Sequence, residues 1–92
     1  MSSSPCREWE IAEDRRVIKW LAKHRNYFPL YQRMKNEILR NPYSFKRLRG
    51  RCSKYRRHKR GSLRVVFEVR GCLIVIKRVG LRKNVYKELG CE

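Results

Sequence analysis

A chain of 92 residues has length for one domain, because a second would lack the residues to build its own core. Lys and Arg number 25 against 8 Asp and Glu, a formal charge of +17, yet 41% of residues are apolar and 11% aromatic, which excludes a chain too polar to fold. No run approaches the roughly 20 apolar residues of a membrane span, and residues 1–5 hold no apolar segment of a secretory signal, so a cytoplasmic protein with a disordered start is expected.

Cys6 to Ile11 alternates, with Cys6, Glu8 and Glu10 on one side and Arg7, Trp9 and Ile11 on the other, a short first strand. Glu13 and Asp14 then stand where acids favour a helix N-terminus. Val17, Ile18, Trp20 and Leu21 form an apolar stripe at helical spacing that fades near His24, a structural histidine. Pro29 suits the first turn of a second helix, Leu30, Tyr31, Met34, Ile38 and Leu39 continue it, and Asn41-Pro42 stops it.

A basic connector, Phe45 to Ser53, comes next. Tyr55 to Arg60 then reads as a strand pairing with Leu63 to Arg70 across Gly61-Ser62. Leu63, Val65, Phe67 and Val69 share one face, with Arg64, Val66 and Glu68 on the other. A turn at Arg70-Gly71 leads to Cys72–Val79, apolar and β-branched enough for a central strand. Gly80 breaks the sheet, and Asn84 to Leu89 forms a last helical turn. The order β-α-α-β-β-β with a short tail predicts an α+β fold, an antiparallel sheet with a two-helix hairpin on one face. The cysteines at 6, 52, 72 and 91 lack any zinc spacing and are expected to be free or buried thiols, with disulfides the alternative.

Charge is concentrated in the second half. Residues 1–37 carry +3 and residues 38–92 carry +14; between Ile38 and Phe67 stand eleven Lys or Arg and no acid. Self-repulsion at that density makes a polyanion the natural partner, bound with release of counterions. Nucleic acid is favoured over an anionic membrane, since the basic stretch lacks an amphipathic helical pattern.

Five blocks in order carry a resemblance. Asn41-Pro42-Tyr43-Ser44, Lys46-x-Leu48-x-Gly50, Tyr55-Arg56, Leu63-Arg64-Val65-Val66-Phe67-Glu68-Val69 and Arg78-Val79-Gly80-x-Arg82-x-x-Val85-Tyr86 resemble the RelE/ParE superfamily of toxins from toxin–antitoxin pairs. In the RelE branch this resemblance implies a ribosome-dependent, metal-independent messenger-RNA endoribonuclease that inhibits translation. There the 2′-OH attacks the adjacent phosphorus and leaves a 2′,3′-cyclic phosphate. It implies as partners an acidic cognate antitoxin, the ribosome and messenger RNA, with neither membrane nor small-molecule cofactor. The ParE branch, which poisons DNA gyrase, and an inactive RNA-binding relative are the alternatives.

Carried over position by position, the resemblance places catalytic groups at Arg56 and His58 on the second strand, Arg64 on the third, and Arg82 and Tyr86 in the tail. Arginines clamp phosphate and stay protonated. An imidazole, ordinarily near 6.5, suits a general base or acid, and a phenol, ordinarily near 10, suits base stacking or a proton relay among cations. Lys46, Arg47, Arg49, Arg51, Lys54, Lys59, Arg60 and Lys83 are the expected grips on RNA. The sequence departs from the pattern at Arg57, where an apolar residue is usual, at Leu81 after the glycine, where many relatives have His, and at Lys59-Arg60-Gly61-Ser62, a turn about one residue longer than usual. Two registers are open: either Arg56 and His58, or Arg57 and Lys59, share the face of Arg64.

Overall fold

The computed structural model of the protein describes residues 6–81 and 84–91, with Asn84 described by its backbone alone. The expected disorder of residues 1–5 and the sites placed on Arg82 and Lys83 lie outside the described residues. Four strands, β1 (Glu10–Glu13), β2 (Tyr55–Arg60), β3 (Leu63–Arg70) and β4 (Leu73–Leu81), form one sheet in the order β1-β4-β3-β2. Helices α1 (Arg15–Lys23) and α2 (Phe28–Arg40) make the hairpin, and α3 (Asn84–Glu88) comes after β4. The fold is α+β, as expected.

Local chemistry explains most boundaries. The Asp14 carboxylate accepts from the Arg16 N–H at 2.9 Å and caps α1. That contact, with Arg78, Lys77 and Arg16 nearby, holds its carboxyl below the usual range although partial burial opposes it. Pro29 sits in the first turn of α2, and Asn41 ends that helix and caps a 3₁₀ turn, Pro42–Ser44.

The apolar stripes converge as read. Val17 and Leu21 of α1, with Tyr31, Met34 and Ile38 of α2, pack onto Leu63, Val65 and Phe67 of β3 and Ile74, Ile76 and Val79 of β4. Tyr31 is fully buried; burial first, then its hydrogen bond to Glu13, pushes the phenol well above its ordinary value.

Four expectations are corrected. Gly80 does not break the sheet: β4 runs through it to Leu81, with Gly80 paired to Arg64. β1 starts at Glu10 rather than Cys6 and pairs in parallel with β4, so the sheet is mixed. An alternating pattern reports which side chains face inward, not the direction of the neighbouring strand. Ile18 lies beside the buried stripe and is 55% exposed. The cysteines are not free: Cys6 pairs with Cys72 and Cys52 with Cys91, with Cα atoms 5.5 and 5.9 Å apart. Pairings that close 66 and 39 residues of chain depend on tertiary proximity, which spacing does not encode.

Candidate functional site

The site is decided by the β2–β3 hairpin. Its loop is Gly61-Ser62, Gly61 takes φ +58°, and Arg60 pairs directly with Leu63. Lys59 and Arg60 belong to the strand, so the turn is the short one. Paired residues of an antiparallel ladder share a face. Arg60, His58 and Arg56 stand opposite Leu63, Val65 and Phe67 and therefore face the helices. Lys59 stands opposite Arg64 and Arg57 opposite Val66, on the outer face.

The expectation that Arg56 and His58 join Arg64 is thus corrected; the alternative pair, Arg57 and Lys59, occupies that face. The reason is parity. Once the apolar residues of β3 turn inward and the loop has two residues, every second residue of β2 must turn inward with them.

The inward cations are engaged. His58 Nε2 donates to Glu37 Oε1 at 2.6 Å, and its ring centroid lies 4.4 Å from that of Phe45. Arg60 donates to the other Glu37 oxygen at 3.0 Å. Arg56 donates to the Phe45 carbonyl at 2.8 Å and lies over the Tyr43 ring. The hydrogen bond from His58 holds the Glu37 carboxyl below its ordinary value, helped by the charges of Arg60, His58 and Arg33 and opposed by partial desolvation. His24, read as structural, bonds the Trp20 carbonyl at 2.8 Å and stacks on that indole.

The outer face is different. Arg57 Nη1 donates to Tyr86 Oη at 3.4 Å, which brings the tail phenol to the sheet. Lys59 is exposed, and its register partner Arg64 donates to the Ser62 carbonyl at 3.2 Å. Arg64 Nε is buried and has no acceptor among the described residues. The acid of this face on β3, Glu68, lies beyond Val66 and is paired with Arg70 at 3.1 Å.

The connector supplies the rim. Leu48 N–H donates to the Tyr55 carbonyl at 2.9 Å and Arg57 N–H to the Lys46 carbonyl at 3.0 Å, so this segment covers the free edge of β2. Leu48, Arg49, Arg57, Tyr86 and Cys91 line a cleft of about 160 Å³. Lys46, Arg47, Arg49, Arg51 and Lys54 are exposed around it, with Arg47 bonded to the Ser53 carbonyl and Lys54 over the Tyr55 ring. Of the expected RNA grips, Arg60 alone among the described residues is turned to the helix side and tied to an acid. Arg57, which motif matching left as the alternative to Arg56, is the residue that the two-residue loop selects.

No protein-family model and no curated protein matches the chain. Among solved structures it is similar to a chain of the toxin–antitoxin complex RelBE2 from Mycobacterium tuberculosis, at 20% identity and a TM-score of 0.70. The match covers 82% of this chain and 99% of that one. The helical hairpin on a four-stranded sheet is consistent with that likeness, and the chain has a RelE-like fold.

Proposed function

We propose that this chain is the toxin of a toxin–antitoxin pair and a ribosome-dependent messenger-RNA endoribonuclease, with its site on the outer face of the β2–β3 hairpin. The observation that carries the reading is the Lys59–Arg64 pair. Two cations directly opposite on adjacent strands, with Arg57 two residues along, repel one another unless an anion sits between them. The buried Arg64 Nε lacks an acceptor among the described residues, and a phosphate oxygen is the acceptor a guanidinium prefers.

The reaction that fits is transesterification within RNA. The 2′-oxygen attacks phosphorus, the 5′-oxygen leaves, and a 2′,3′-cyclic phosphate and a 5′-OH result. Arg57, Lys59 and Arg64 neutralise the phosphorane as charge accumulates. Tyr86, held by the Arg57 guanidinium, exchanges a proton with the reacting oxygens. Arg82, which the motif match alone assigns, completes the set of clamps. His58 is left out of this chemistry because it faces the helices.

The similar solved chain belongs to a toxin–antitoxin complex, which supports an antitoxin as partner here. With a net charge of +17 on this chain, that partner is acidic and folds along the basic surface. Primer extension on a message translated in vitro, with and without the protein, tests the reading. New 5′ ends confined to translated codons are expected. An intact message together with loss of DNA supercoiling overturns it in favour of a gyrase poison.

A further inference from the structure

Of the described groups placed in the chemistry, Arg57, Lys59, Arg64 and Tyr86, only Tyr86 is not carried by the sheet. It rides on α3, five residues long, too short to persist in water unaided. A tight turn ends that helix. Gly90 takes φ +76°, its N–H donates to the Lys87 carbonyl at 3.0 Å, and the Cys91 N–H donates to the Tyr86 carbonyl at 2.8 Å. These two bonds close a Schellman turn, so Tyr86 and Cys91 move as one body.

Cys91 is bonded to Cys52. Cys52 is 3% exposed and ends the 3₁₀ turn Gly50–Cys52, three residues before β2 and hence close in sequence to Arg57. The other anchors of α3 are noncovalent: Val85, 2% exposed and packed against Gly80, and an Arg78–Glu88 pair at 3.5 Å. Beside the disulfide is a cavity of about 380 Å³ lined by Arg49, Gly50, Arg51, Cys52, Gly90 and Cys91.

We propose that the Cys52–Cys91 disulfide is a redox-sensitive staple that positions Tyr86 against Arg57, so that the redox state of this one pair decides whether the site is assembled. The effect on cleavage rests on the function proposed above; the effect on the tail does not.

Reduction is by a dithiol. Its thiolate attacks the more accessible Cys91 sulfur, the S–S bond breaks, and Cys52 leaves as a thiolate beside Arg49 and Arg51. The second thiol of the reagent then displaces Cys91. Two electrons and two protons pass to the protein, and the reagent becomes a cyclic disulfide. The positive charge of Arg49 and Arg51, which line the same cavity, favours this exchange.

Hydrogen exchange on the full chain tests the staple, comparing wild type before and after dithiothreitol with Cys52→Ser/Cys91→Ser and Cys6→Ser/Cys72→Ser. Amides of residues 84–91 are expected to exchange at least tenfold faster in reduced wild type and in Cys52→Ser/Cys91→Ser. They should remain slow in oxidised Cys6→Ser/Cys72→Ser, with β3 protected throughout. Should Cys52→Ser/Cys91→Ser not fold, dibromobimane bridging Cys52 and Cys91 in the Cys6→Ser/Cys72→Ser background replaces it and should make the tail insensitive to dithiothreitol.

Unchanged tail protection on reduction overturns the proposal. Cleavage should fall about tenfold with the tail freed; a freed tail with full cleavage overturns the positioning role. Absence of cleavage in every form sinks the ribonuclease reading, while exchange still decides the staple.

Discussion

The two faces of β2 carry similar side chains and treat them in opposite ways. On the helix side Arg56, His58 and Arg60 are matched by a carbonyl, a carboxylate and two aromatic rings. On the outer side Lys59 faces Arg64, and Arg57 meets a phenol. Cations that have partners hold a structure together; cations set against one another store repulsion that an incoming anion relieves. The strand thus separates partnered cations from mutually opposed ones by parity alone.

The sharpest way to break this comparison is Arg64→Ala. RNA cleavage should drop about 100- to 1,000-fold, the usual loss when one preorganised charge donor is removed, with little change in melting temperature. Next, Tyr86→Phe keeps the ring and removes the hydroxyl that Arg57 touches. Cleavage should fall about 100-fold while RNA affinity, read by filter binding, stays the same. A matched loss of affinity would make the Tyr86 hydroxyl a binding contact rather than a proton carrier.

His58→Ala is the inward counterpart. It removes the tilted ring contact with Phe45, worth about 1 kcal/mol beyond burial, so thermal melting should fall by several degrees. Cleavage per folded molecule should be unchanged; a hundredfold loss would return the imidazole to the chemistry.

The smallest effect is in acid. Glu37 is held below its ordinary pKa by His58, so its contribution to stability is complete above the ordinary carboxylate range and is lost as pH falls through the lowered folded value. Denaturant melts of wild type should therefore lose stability more steeply with acid than those of Glu37→Gln. Equal slopes would mean that the His58–Glu37 contact contributes nothing in solution.

Much of this was legible beforehand. The helices, the limits of β2 and β3, and the inward set Val17, Leu21, Tyr31, Met34 and Ile38 come from periodicity, caps and proline. The outer face was legible too, since a two-residue loop with Leu63 inward forces His58 inward. Motif alignment, which assigned His58 by family position, pointed the other way. Exposed Ile18 shows the limit of a helical stripe, because its edges depend on how far the sheet extends beneath it.

By itself the sequence determined the elements, the apolar face of each and the excess of positive charge, because these depend on neighbours within a few residues. Tertiary structure alone decided the parallel seat of β1 beside β4, the meeting of Tyr86 with Arg57 across 29 residues, and the partners of four cysteines. Each of those joins segments whose approach is set by packing of the whole core, a term that no local pattern contains.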